Sequence, residues 1–206
     1  MPTELISNVQ IPEGQCGAWR VEKFEVTAQE ADVHNLRAVF NARRGETRID
    51  PGVYTRLMHG GAIVMSDTPG EKQDHYRFVQ STTGNVLIAG LGLGMVTSAV
   101  LAKDDVKHVT VVEIAQDVVE LVTPHLASDK LEVITADIFK WKPAKGAQWD
   151  CAWFDIWPCV SEQNLVEIKK LRAKFVRRCK QLGFWKLYTI RGLARESARE
   201  RRLLGE

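Results

Sequence analysis

The sequence predicts an α/β protein in which a parallel sheet is flanked by helices and preceded by a small α+β extension. Three observations carry that prediction. The apolar run Asn85-Val-Leu-Ile-Ala-Gly90 gives way to the glycine turn Leu91-Gly-Leu-Gly94 and then to a helical stretch from Met95 to about Ala102. The unit recurs, with Val109-Thr-Val-Val-Glu113 as strand and Asp117 to His125 as helix. Two further apolar runs, Leu131-Glu-Val-Ile-Thr135 and Asp150-Cys-Ala-Trp-Phe-Asp155, add strands. Apolar strands alternating with helices on a short period imply a parallel sheet covered on both faces.

Size and composition fit that reading. A chain of 206 residues matches one domain of roughly 100–200 residues with room for an accessory segment. With 45% apolar and 26% charged residues, neither a disordered nor a fibrous chain is expected. The division expected is an N-terminal extension over residues 1–80 and a Rossmann-like domain over residues 81–206 that ends in basic helices. No stretch approaches the ~20 apolar residues of a membrane span. MPTELISNVQIPEG carries Glu4 and lacks an apolar signal core, so a cytoplasmic protein with no membrane partner is expected. Cys16, Cys151, Cys159 and Cys179 form no CxxC pair, which gives no support to a metal site or a disulfide framework.

Within the extension, Thr27-Ala-Gln-Glu30 reads as a capping box opening a helix to about Phe40. Arg43 to Gly52 reads as a turn-rich connector, and Tyr54 to Met65 as extended or mixed structure broken at Gly60-Gly61. Thr68-Pro-Gly-Glu71 is a second capping box, with Pro69 at the first helical position and a helix to about Gln80. Beyond Ser161, Leu165, Ile168, Leu171, Phe175, Cys179 and Leu182 recur every three or four residues, as on one face of a helix. Phe184 to Ile190 is a candidate fifth strand and Leu193 to Leu204 a terminal helix whose Arg191, Arg195 and Arg199 fall in one row. Too little chain follows for two more strands, so the sheet should be truncated at its C-terminal edge. From Ser161 onward the chain carries +8, leaving −6 for the rest. Charge so placed is either a solvated helix face or the footprint of nucleic acid.

The candidate site follows from the strand ends. At the glycine turn, Gly90, Gly92 and Gly94 let backbone N–H groups approach an anion. A dinucleotide site would space its glycines GxGxxG, whereas position 95 here is Met. The tighter spacing suits a smaller anion, such as the amino-acid carboxylate of S-adenosylmethionine. Glu113, ending the next strand, can accept hydrogen bonds from both ribose hydroxyls, with Ile114 beside it. Asp137 can accept from an adenine amino group while Ile138 packs the ring. Asp155, ending the fourth strand where open α/β sheets place their ligands, can orient a nucleophile or take its proton. Trp153 and Trp157 either line that pocket or belong to the core. Asp67 either meets the amino group of the cofactor's methionine part or serves the turn before a helix.

Val86 to Pro158 resembles the cofactor half of class I S-adenosylmethionine-dependent methyltransferases, and within them the spermidine synthase-like branch. VLIAGLGLG, VTVVEI, ADIF and WDCAWFDIWP carry the likeness, and YTRLMHGG is similar to the segment preceding the cofactor strand of aminopropyltransferases. The resemblance implies S-adenosylmethionine as cofactor, with Gly90, Gly92, Gly94, Glu113, Ile114, Asp137, Ile138 and Asp67 around it. It implies Asp155 as the substrate-side acid, with Trp157, Tyr54 and His59 as further substrate contacts. Two departures matter. Aminopropyltransferases carry Asp-x-x-Asp after the fourth strand, and here Pro158 takes the second position; nor is Asp-Ile-Trp-Pro the Asn/Asp-Pro-Pro-Tyr motif of many N-methyltransferases. Methyl transfer is therefore the first expectation, aminopropyl transfer the second, and a non-catalytic nucleoside- or nucleic-acid-binding protein of the same fold the third. A small-molecule acceptor is expected ahead of a macromolecule, with nucleic acid on the basic C-terminal helices as the alternative and a homodimer as the assembly.

Overall fold

Glycine placement and strand composition divide the chain into two sheets in the computed structural model, which describes residues 5–40 and 47–204. The N-terminal sheet is antiparallel, in the order β1 (Gly14–Cys16), β2 (Trp19–Val26), β3 (Gly52–His59) and β4 (Ala62–Ser66). Gly60 and Gly61, both at positive φ, make the tight turn between β3 and β4, a conformation that L side chains rarely adopt. Between β2 and β3 lies α1 (Ala28–Phe40). Its capping box forms as expected: the Thr27 N–H donates to Glu30 Oε2 at 2.9 Å, and the Glu30 N–H donates to Thr27 Oγ1 at 3.3 Å. Part of the predicted connector from Arg43 lies outside the described residues.

The second capping box does not form. α2 (Pro69–Ser81) starts behind Thr68, yet the Thr68 hydroxyl pairs with that of Ser66 at 2.9 Å and makes no bond to the helix backbone. Glu71, free of that task, is half-buried and lines a cavity.

The five remaining strands form one parallel sheet in the order β7-β6-β5-β8-β9. They are β5 (Gly84–Ala89), β6 (Val106–Glu113), β7 (Leu131–Thr135), β8 (Trp149–Phe154) and β9 (Cys179–Phe184). The helices between them are α3 (Met95–Leu101), α4 (Gln116–Val122, extended by one 3-10 turn to His125) and α5 (Asn164–Phe175), and α6 (Leu187–Leu204) follows β9. This is the expected Rossmann-like sheet, truncated at the β9 edge, with the small antiparallel sheet before it. Alternate strand residues serve opposite faces: Val86, Ile88 and Trp153 pack with Phe78 and Val79 of α2, whereas Leu87, Ala89 and Phe154 pack with Leu171 and Phe175 of α5. Ile6, Val21 and Leu57 join the first of these clusters, so the N-terminal sheet shares its core with the parallel sheet.

The C-terminal elements fall elsewhere than predicted. Cys179 and Leu182, read as the end of a long helix, lie on β9, and Phe184 closes that strand instead of opening one. The helical spacing loses there because β8 needs a partner on its open side. Parallel pairing of Trp149 with Cys179 through Phe154 with Phe184 satisfies its backbone. α6 begins at Leu187, ahead of the expected Leu193, and buries Ile190 completely. No helix among the described residues is long and apolar enough to cross a membrane.

Candidate active site

Parallel strands all end on one side, and the order β7-β6-β5-β8-β9 leaves a crevice there beside β5, where the chain reverses direction across the sheet. The crevice measures about 820 Å³ and is roofed by Trp19, His59 and Met65 of the N-terminal sheet. Gly90, Gly92, Glu113, Asp137 and Asp155 all line it.

On one wall the backbone is held by carboxylates. Glu113, only 8% exposed, accepts the Leu91 N–H on Oε2 at 2.7 Å and the Ala115 N–H on Oε1 at 2.8 Å. It thereby pins the glycine turn to the end of β6 and keeps lone pairs on both oxygens toward the crevice. Gly90, at φ 96°, has no room for a side chain, because a Cβ would strike the Asp155 carbonyl oxygen. Gly94 does not line the crevice; its open face is filled by Val122 and Leu126, so its task is to bring α3 close to α4. Asp137 accepts the Phe139 N–H on Oδ1 at 2.9 Å, with Lys140 at 3.5 Å from Oδ2. Ile114, 69% exposed, and Ile138, buried, both line this wall. An exposed apolar side chain beside two carboxylates fits an adenosine, whose ring needs a flat apolar contact and whose hydroxyl and amino groups need acceptors.

The opposite wall is built around Asp155. Trp153 lies edge-on to His75 at 5.7 Å and stacks on Phe78 at 4.9 Å, so it is core as well as lining. The Trp157 ring N–H donates to Glu167 at 2.7 Å, which fixes that ring over the crevice. His59 packs on Trp19 at 4.4 Å. Asp155 Oδ2 lies 3.6 Å from Nε2 of His75, whose ring is fully buried and makes no hydrogen bond within the protein. Burial, reinforced by the carboxylates of Glu71 and Asp74, pushes Asp155 up to about 8. Burial, and then Asp74, pushes Glu71 up to about 7, while burial and Lys186 hold His75 down to about 4. At neutral pH the His75 ring is uncharged and Asp155 mostly so, and their contact is not an ion pair.

Glu71 and Trp185 are shared with a second cavity of about 370 Å³, bounded also by His34, Asp74 and Lys186. Lys186 donates to Asp74 at 2.6 Å from a residue at φ 50°, a conformation costly for a side chain larger than Gly. Glu71, Asp74, His75 and Lys186 were absent from the sequence-based site. The signal available was the spacing of positions 71, 74, 75 and 78, which puts two acids and a histidine on the helix face that carries the core residue Phe78.

Two expected contacts lie elsewhere. Asp67 is fully buried and both its oxygens are used by backbone, Oδ2 accepting the Val9 N–H at 3.0 Å and Oδ1 the Thr55 N–H at 2.7 Å. It ties the N-terminal segment to β3 and does not line the crevice. Tyr54 sits in the N-terminal sheet with its hydroxyl donating to the Asp50 carbonyl at 2.8 Å, also outside the crevice.

The ribosomal RNA adenine dimethylase family profile matches residues 78–160, which run from α2 through β8 and the crevice loops. No curated protein matches the sequence. Among solved structures, a dimethyladenosine transferase from Plasmodium falciparum is similar at 21% identity, covering 51% of this chain and 37% of its own, with a TM-score of 0.40. An N-methyltransferase from Bradyrhizobium japonicum is 15% identical over 55% of this chain and 64% of its own, with a TM-score of 0.43. Spermidine synthase from Thermotoga maritima is 18% identical over 69% of this chain and 46% of its own, with a TM-score of 0.40. The chain thus spans less than two thirds of each of these proteins. The family match falls on the parallel sheet and its crevice, and over that stretch the chain is similar to class I S-adenosylmethionine-dependent methyltransferases.

Proposed function

We propose that the protein is an S-adenosylmethionine-dependent methyltransferase whose acceptor is a nitrogen. The observation that carries the reading is the convergence on one crevice of the glycine turn, Glu113, Asp137 and Asp155, each from a different strand end. Bound S-adenosylmethionine supplies a methyl group activated by its sulfonium. The glycine turn, Glu113, Ile114, Asp137 and Ile138 hold it, Asp155 receives the proton that the acceptor nitrogen gives up, and Trp157 and His59 border the acceptor. Aligning nucleophile and methyl carbon contributes up to roughly 7–11 kcal/mol in favourable systems, so the residues around Asp155 act first by position.

The acceptor favoured is a base in RNA, in place of the small molecule that the sequence alone suggests. The dimethylase profile supports it. So do the exposed cations Lys169, Lys170 and Arg177, and Arg191, Arg195 and Arg199 on α6, since phosphate contacts of this kind supply most of the affinity for nucleic acid. A second reading, aminopropyl transfer to a cationic amine, is favoured by Glu71 and Asp74 near Asp155, carboxyl groups that could meet the amine where Pro158 has removed one.

The test is parallel calorimetric titration with S-adenosylmethionine, S-adenosylhomocysteine, decarboxylated S-adenosylmethionine and NAD, followed by transfer of labelled methyl to RNA and to small amines. Binding of the first two, and label in RNA that declines steeply with salt, is the expected result. Preference for the decarboxylated compound would favour the second reading. Binding of NAD alone, or of none of the four, would overturn both.

A further inference from the structure

The glycine turn lines the crevice, but one of its donors is covered. Met65, on the edge strand β4, lines the crevice and reaches across to the turn, where the Leu93 N–H donates to its thioether sulfur at 3.1 Å. The sulfur fills the space that a side chain on Gly92 would occupy. Three other donors of the turn have oxygen acceptors: Gly90 N–H on Val112 O, Leu91 N–H on Glu113 and Gly94 N–H on Leu91 O. Leu93 N–H is therefore a strong donor held by a weak acceptor, and an oxygen ligand there would improve on the sulfur. Methionine has three freely rotating bonds and tolerates repacking, so its side chain can leave the turn without unpairing the strand. β4 contacts the sheet edge on β3 only, and its register with β3 shifts at Leu57/Met58, directly opposite Met65.

We propose that Met65 is a cofactor-site gate: its thioether occupies the glycine turn until the amino-acid carboxylate of the cofactor takes the Leu93 N–H. The inference rests on the reading of the crevice as an S-adenosylmethionine site. The ligand part that competes with Met65 is the amino-acid moiety, and the adenosine moiety binds without moving it. Affinity for the whole cofactor is then reduced by the fraction of molecules in which Met65 holds the turn.

The experiment compares S-adenosylhomocysteine with 5′-methylthioadenosine, which lacks the amino-acid part, on the wild-type chain, Met65→Ala and Met65→Leu. On Met65→Ala, S-adenosylhomocysteine should bind about three- to tenfold more tightly and methylthioadenosine unchanged, as expected when a competing internal state is removed. In the wild type labelled at its methionine methyl groups, the Met65 resonance, assigned by its loss in Met65→Leu, should move with S-adenosylhomocysteine and stay with methylthioadenosine. Were Met65→Ala to unfold, the wild-type resonance alone decides. Tight binding of S-adenosylhomocysteine with a stationary Met65 resonance, or equal gains for both ligands, would overturn the gate and leave the cofactor reading standing. Failure of both ligands to bind any of the three proteins would overturn the cofactor reading itself.

Discussion

Of the two walls of the crevice, the one bearing the glycine turn, Glu113 and Asp137 comes from one unbroken stretch of chain, and each of its carboxylates is engaged by a backbone N–H within two residues of it or across the adjoining strand. The other is gathered from α2, the end of β8 and the loop before α6. Lys186 reaches Asp74 across 112 positions of sequence, and Asp155, Glu71 and His75 are all displaced from their ordinary protonation behaviour by burial. The first wall has the character of a binding surface whose carboxylates are held in place by backbone. The second stores unsatisfied polar groups, which is where chemistry on an acceptor is expected.

That contrast breaks if Asp155→Asn leaves turnover intact. The expected result is a loss of about 100- to 10,000-fold in transfer, the range for a removed proton acceptor, with S-adenosylhomocysteine affinity unchanged by calorimetry. In the wild type the rate should climb with pH through about 8, because Asp155 accepts a proton only once ionised, and the Asp155→Asn profile should be flat there. Asp67→Ala sharpens the comparison from the other side. It orphans the Val9 and Thr55 N–H groups and should cost about 2–5 kcal/mol in denaturant unfolding, with cofactor affinity unaltered per folded molecule. Glu113→Ala should do the reverse in kind: it frees the Leu91 and Ala115 N–H groups at the mouth of the crevice and weakens S-adenosylhomocysteine about ten- to hundredfold. Unaltered binding in Glu113→Ala would remove the ribose role assigned to it.

The same contrast explains what was legible in the sequence. A glycine turn, a strand-ending acid and the residue that follows it are local, so Gly90, Gly92, Glu113 and Asp137 could be placed on one crevice from spacing alone. Asp67 has the same residue type and an equally plausible position, but its partners, Val9 and Thr55, are fixed by an antiparallel sheet whose register spacing does not reveal. Gly94 belongs to the motif yet serves helix packing. Glu71 was read as a cap because Thr-x-x-Glu is a capping pattern, and only the hydroxyl pairing of Ser66 with Thr68 shows why the pattern is unused. At the C-terminal end, the need of β8 for a neighbour overrode a helical stripe, an effect of sheet completion that no window of residues contains.

The smallest expected effect tests whether the second wall keeps its polar groups unsatisfied in solution. His75 is uncharged in the folded protein down to about 4, whereas in the unfolded chain it ionises near its ordinary value of 6.5. Its folded pKa is lowered, so as pH falls below 6.5 the unfolded state takes up the proton first and stability declines, levelling off only once pH is below about 4. At pH 6 the loss relative to pH 8 from this one group is less than about 1 kcal/mol, within reach of urea titrations. Asp155 and Glu71 act in the opposite direction: with raised folded values they contribute stability at low pH that is lost as pH climbs toward about 8 and about 7. The windows overlap between about 4 and 6.5, where the opposed slopes offset one another, so the groups are separated by substitution: the stability difference between wild type and His75→Phe should shift against the wild type as pH falls below 6.5, and that between wild type and Asp155→Asn should shift against the wild type as pH climbs toward about 8. A difference between wild type and His75→Phe that stays constant as pH falls below 6.5 would mean that the ring is hydrated or hydrogen-bonded in the folded protein, and that the second wall is as fully satisfied as the first.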